Sequence, residues 1–217
     1  MFPIHGEQQN KEIETIKPRT LEIKLSDADV KRLAEKAGAH GLSVAELLEA
    51  FIGDLVCGTY SNGSDERMYA EQWFERCWFG MFPEETLLKH LIEWGNIDEV
   101  LRAWDDVERN SKELEELEEQ LKSGVMKNHD GSFYTWKDLV NSNNEPVFAS
   151  KEEWEAECRG EIEAIKDEIA SDREFLSECW SEYSSKKKDH QSGTFDEEMK
   201  KVLEWRQEYS KLLGNEV

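Results

Sequence analysis

No stretch of this chain approaches the roughly 18 consecutive apolar residues that a membrane-spanning helix needs. Its start, Met-Phe-Pro-Ile-His-Gly-Glu, has neither the basic stretch nor the apolar core of a secretory leader. Both absences point to a cytoplasmic protein that makes no contact with membranes. The four cysteines, Cys57, Cys77, Cys158 and Cys179, share no short spacing, so no disulfide framework or zinc knuckle is encoded and buried reduced thiols are expected. His5, His40, His90, His129 and His190 are scattered, none three or four residues from another His or Cys as a helical metal site requires. A glycine-rich phosphate loop, a Gly-x-Ser-x-Gly elbow and a His-Glu-x-x-His pair are all missing. The sequence therefore predicts a protein that is not an enzyme and holds no cofactor or metal.

Positive charge is also scarce. The chain carries 27 Lys and Arg against 49 Asp and Glu, a formal net charge of −22 over 217 residues. The imbalance is uneven: residues 1–60 hold seven bases and ten acids, residues 61–125 seven and seventeen, residues 126–217 thirteen and twenty-two. A body with that field repels nucleic acid. Eight Trp, nine Phe and five Tyr argue against disorder, because each ring supplies a large area to bury. The length allows one large or two small domains with a real core.

Along the chain, residues 1–17 are polar and read as a flexible arm. Residues 19–26 alternate cleanly, with Leu21, Ile23 and Leu25 on one face and Thr20, Glu22 and Lys24 on the other, which predicts a strand. A helix follows, capped by Ser26, with Val30, Leu33, Ala34 and Ala37 at helical spacing until Gly38 and Gly41 end it. Ser43 and Glu46 form a capping box for a second helix carrying Val44, Leu47, Leu48, Phe51, Ile52 and Leu55. A lone strand leaves its ladder unpaired, so the least costly partner is the same strand of a second copy.

This strand, helix and Gly-x-Ser-x-x-Glu-Leu-Leu helix together resemble the ribbon-helix-helix family over about residues 18–56. The resemblance implies a homodimer zipped through Leu21, Ile23 and Leu25. It also implies that the paired strands enter a DNA major groove, with Thr20, Glu22 and Lys24 as base readers and the amides at Ser43 and Val44 as a phosphate site.

Beyond a dimerisation module at 18–58, Gly58–Ser64 is a turn-rich joint. Residues 64–123 form an aromatic-rich helical region: Met68 to Phe79 fit a helix closed by Gly80, and Pro83-Glu84-Glu85 opens another with Leu87, Leu88, Leu91, Ile92 and Trp94. Asn96 is placed to cap a third, along which Val100, Trp104, Val107, Leu114, Leu117 and Leu121 recur as a coiled-coil seam. Residues 124–149 read as a small hairpin, turning at Asp130-Gly131, and a surface loop. Residues 150–217 give a long helix with Trp154, Cys158, Ile162, Ile165, Ile169, Leu176, Trp180 and Tyr183 on one side. A C-terminal helix capped by Thr194 follows, and both are expected to pack on 97–123 as an antiparallel coiled coil or three-helix bundle. The fold class is mainly α.

Glu113, Glu115, Glu116, Glu118 and Glu119 flank the Leu114–Leu117–Leu121 seam. Their plain meaning is a solvated helix face; their functional one is an acidic surface for a basic partner, carboxylates standing where phosphates otherwise lie. The aromatic cluster Trp73, Phe74, Trp78, Phe79 and Phe82 reads as core, and Lys186-Lys187-Lys188 as a helix-end complement to the dipole. Two functions follow. One is a homodimeric acidic inhibitor of a nucleic-acid-handling complex, similar in charge and size to the small acidic inhibitors, anti-CRISPR proteins among them, that phages and mobile elements make. The other is a ribbon-helix-helix transcriptional regulator that binds DNA. The charge balance, with Glu22 at the centre of the outward strand face, favours the first.

Overall fold

The computed structural model describes residues 5–127, 131–186 and 193–214. Within them the protein is mainly helical, with a single two-stranded antiparallel hairpin. Among the described residues no helix is long and apolar enough to cross a membrane. The chain divides into two compact units, Met1–Glu85 with Leu203–Val217, and Thr86–Val202.

In the unit Thr86–Val202, the pair α7 (Ile97–Ser123) and α8 (Lys151–Lys186) dominates. At 1.5 Å per residue, the 36 residues of α8 span about 54 Å. Contacts converge in reverse chain order: Lys166 Nζ reaches Glu118 at 3.1 Å, Asn110 reaches Glu168 at 3.1 Å, and Asn96 approaches Cys179 at 3.9 Å. The two helices therefore run antiparallel. Trp154, Cys158, Ile162, Ile165, Ile169, Leu176 and Tyr183 are buried as the periodicity predicts, joined by Cys179 where Trp180 is only half-buried.

The seam of α7 has a gap between Val107 and Leu114, and Asn110 fills it, 5 % exposed and hydrogen-bonded across to Glu168. A buried amide with one matching partner fixes the register of two helices that apolar contacts alone would let slide. β1 (Met126–Lys127) and β2 (Phe133–Tyr134) form the expected hairpin, with Met126 opposite Tyr134. Residues 128–130 of its turn lie outside the described residues. Far from being a mere surface excursion, this segment covers Trp154: Tyr134, Trp136, Leu139 and Phe148 pack with Leu121 on a core of Met126, Trp154 and Cys158.

Two helix starts differ from expectation. The helix predicted from Pro83 begins only at Leu87, as α6 (Leu87–Trp94), with Thr86 Oγ1 accepting the Lys89 N–H at 3.1 Å. The Glu198 carboxylate, from the first part of α9 (Phe195–Leu213), accepts the Leu87 N–H at 2.9 Å. Asn96 stands at the start of α7 but caps nothing with its side chain; its amide nitrogen points toward Cys179, and its buried Oδ1 finds no partner. Its backbone, at φ −105° and ψ 11°, has the wrong shape for an N-cap.

In the other unit, α1 (His5–Glu14) occupies residues expected to be a flexible arm. The run Glu7-Gln8-Gln9-Asn10-Lys11-Glu12 contains mostly good helix formers, and propensity suffices for it. Residues 16–26 carry no regular structure, so the strand predicted over 19–26 is not formed in the single chain, where it has no ladder partner. α2 (Asp27–Gly38) and α3 (Val44–Leu55) follow as predicted, α2 capped by Ser26 Oγ on the Asp29 N–H at 3.1 Å. After α3, Cys57 takes a left-handed φ of 54°, and the chain folds back on Gly53, where a Cβ would lie 2.7 Å from the Tyr60 carbonyl carbon.

The helix predicted to run to Gly80 breaks at Cys77 into α4 (Ser64–Arg76) and α5 (Trp78–Met81). Gly80 lies inside α5, pressed on the end of α4 so that a Cβ would come within 2.9 Å of the Phe74 carbonyl carbon. Phe51, Trp73, Phe74, Trp78 and Phe79 touch edge to face or tilted, yet all remain exposed, as does Phe82, against their reading as core.

Asp54 anchors the α3–α4 joint, its carboxylate accepting the Asn62 side-chain amide at 2.9 Å and the Asn62 backbone N–H at 2.7 Å. These bonds hold its carboxyl below the usual carboxylate range. A depressed folded pKa contributes stability that is present above the unfolded carboxylate value and lost as pH falls through the folded one. Asp54→Asn should therefore destabilise this unit at neutral pH and much less in acid, narrowing the gap between wild-type and variant melting temperatures below pH 4. An unchanged gap from pH 7 to pH 3 would show that the Asp54 charge contributes nothing.

Candidate functional site

The ribbon residues come first. Leu21, Ile23 and Leu25 are 59 %, 60 % and 47 % exposed, and Thr20, Glu22 and Lys24 are exposed beside them. Three apolar side chains that alternate along the sequence thus face water in the single chain, a costly arrangement. The segment is held at its start: the Arg19 guanidinium donates to the carbonyls of Leu212 and Leu213 at 2.9 and 2.8 Å. These are C-terminal carbonyls of α9, which a helix leaves without partners of its own.

At the start of α3, both halves of the capping box are in place. Ser43 Oγ accepts the Glu46 N–H at 3.2 Å, and the Glu46 carboxylate accepts the Ser43 N–H at 2.7 Å. These bonds to Ser43 pull the Glu46 carboxyl below its ordinary value. The Ser43 amide that the family resemblance assigns to a phosphate is therefore already occupied by an anion of the same chain, and Val44 supplies the remaining amide.

Of the acidic row, all five residues are exposed while Leu114, Leu117 and Leu121 are half-buried between them. At 100° per residue, the five carboxylates spread round the whole outer arc of α7 instead of aligning in one file. Glu118 turns toward α8 and pairs with Lys166, whose ammonium it raises above the usual lysine range. Among the described residues, Glu113, Glu115, Glu116 and Glu119 make no ion pair.

Sequence reasoning missed the buried polar groups Asp54, Asn110 and Glu198. Only Asn110 left a signal, as the polar residue on an otherwise apolar register. Of the cysteines, Cys158 and Cys179 are buried as expected, and burial first, then nearby glutamates, pushes both thiols up. Cys77 is half-buried. Cys57, left-handed at φ 54° just beyond α3, is exposed, contrary to expectation. Among the described residues no group of three His, Cys, Asp or Glu is placed to hold a metal ion. The His90 ring lies tilted against Trp94 and Tyr183, with centroids 5.4 and 5.8 Å away. Lys186 pairs with Glu182 at 2.8 Å and sits 3.5 Å over the Trp94 ring; Lys187 and Lys188 lie outside the described residues.

A groove of about 650 Å³ opens between α7, α8 and the first residue of α9, walled by Trp104, Val107, Leu176, Trp180 and Phe195. Nothing in the sequence pattern marked it, since its rings come from three separate helices.

Comparison with family models, with curated proteins and with solved structures finds no match to this chain.

Proposed function

We propose that this chain is a homodimeric, non-catalytic acidic binding protein. Two copies pair through residues 19–25 as an antiparallel ribbon. The acidic helical unit Thr86–Val202 occupies a basic groove of a nucleic-acid-handling protein complex and inhibits it by standing in for phosphates. The observation that carries this reading is the row Glu113, Glu115, Glu116 and Glu119, exposed and without ion pairs on a helix whose opposite side is anchored to α8. Unpaired carboxylates on a rigid element are pre-organised for cations on another surface. The ribbon is supported by Leu21, Ile23 and Leu25, which are about half exposed or more in the single chain. This mode resembles that of anti-CRISPR and related inhibitors in charge and size.

The test is affinity purification of the full chain from its cell of origin, followed by mass spectrometry. We expect a basic nucleoprotein complex that elutes with rising salt, because counterions released on contact are recaptured. Reversing Glu115, Glu116 and Glu119 to lysine together should cut its recovery by about tenfold or more. Full recovery with the reversed variant would overturn the mimicry.

A second reading, a ribbon-helix-helix regulator that binds DNA, is supported by the α2–α3 pair and the Ser43 capping box, the elements on which the resemblance over residues 18–56 rests. Tight, salt-sensitive binding of duplex DNA, abolished by Lys24→Glu, would move the assignment there.

A further inference from the structure

We propose that the groove between α7, α8 and Phe195 is a binding site for an amphipathic organic cation: a compact apolar body carrying a quaternary or delocalised positive charge. The volume of about 650 Å³ lies in the range of small-molecule sites, about 300–1,000 Å³. Three rings form a connected wall, with Phe195 6.2 Å from Trp104 and 5.7 Å from Trp180, centroid to centroid. Ring faces carry negative potential, and Trp carries the most.

The rim holds Glu108 and Glu115, and also Lys112 and Arg173. Among the described residues none of these four makes an ion pair. Two carboxylates and two cations cancel at the rim, so the sign of the ligand is decided by contributions that do not cancel. One is the wall of aromatic faces. The other is the surrounding unit, in which residues 86–202 contain 30 Asp and Glu against 16 Lys and Arg. The positive end of α9 beside Phe195 would favour an anion, but its own Asp196, Glu197 and Glu198 crowd that first turn. Glu197 also accepts the Thr194 N–H at 2.8 Å. An apolar anion meets opposition from both remaining contributions, and an apolar cation is attracted by both. The site stands independently of which macromolecule the chain engages.

Two salts of the same shape and opposite charge make the test: tetraphenylphosphonium chloride and sodium tetraphenylborate, each titrated into the full chain by calorimetry. We expect the phosphonium to bind at one site per chain and about tenfold or more tighter than the borate. Trp180→Leu and Phe195→Leu, which keep an apolar wall, should each weaken the phosphonium severalfold, and Glu108→Gln with Glu115→Gln, both exposed, should do so without changing the circular dichroism. Equal or tighter binding of the borate would overturn the proposal. So would an affinity for the phosphonium that neither ring replacement moves, which would place it on the acidic surface at large, and so would the absence of saturable binding at millimolar concentration.

Discussion

Trp154→Ala is expected to lower the stability of the unit Thr86–Val202 by about 3–5 kcal/mol, the range for removing a large aromatic from a closed core. Trp154 is 2 % exposed at the first turn of α8 and is the only buried tryptophan among the described residues. Its neighbours come from three places: Leu121 at the end of α7, Met126 and Tyr134 of the hairpin, and Trp136, Leu139 and Phe148 of the following loop. The loop is closed on itself by short-range bonds. It is ordered by a Thr135–Asp138 capping box, with Thr135 N–H to Asp138 at 2.7 Å, and by backbone bonds such as Asn141 N–H to Glu145 O at 2.8 Å. Emptying the space under it should release it, so amide exchange across residues 133–147 should accelerate along with the fall in urea midpoint. Trp154→Phe should recover most of the loss, since it leaves a smaller cavity. A loss under about 1 kcal/mol for the alanine variant would mean that the loop collapses into the vacancy and that Trp154 is no keystone.

The second large effect is expected at the ribbon. Ile23→Glu places a carboxylate at the centre of the face formed by Leu21, Ile23 and Leu25, once in each copy. Burying that charge without a partner costs several kcal/mol, so the dissociation constant should rise by on the order of a thousandfold. Light scattering at micromolar concentration should give two chain masses for the wild-type protein and one for the variant. Lys24→Glu, on the outward face, should leave the dimer intact and so separate dimerisation from any contact with DNA. Ile23→Val should also remain dimeric. A single chain mass for the wild-type protein would remove the ribbon and leave the exposed apolar segment without a role.

Features that depend only on neighbours along the chain were legible in the residues. Ser26, Ser43, Ser150 and Thr194 each start their helices where the pattern of hydroxyl and carboxylate says, because a cap is completed within four residues; Ser150 Oγ, for instance, accepts the Glu153 N–H at 3.2 Å. The seams of α7 and α8 were legible because a 3.6-residue period needs no knowledge of the partner. The break at Cys77 was hidden because it depends on how closely Gly80 approaches the Phe74 carbonyl. The late start of α6 was hidden because one of its first amides is held by Glu198, 111 residues away. Asp54 and Glu198 look like any other acids in so acidic a chain, and only folding singles out the two whose carboxylates are enclosed and bonded. The aromatic groove belongs to the same class: Trp104, Trp180 and Phe195 have ordinary places in three separate helical patterns. Only tertiary structure decides that their rings meet, since packing distance between remote residues is a property of how helices cross and of no single stretch of sequence.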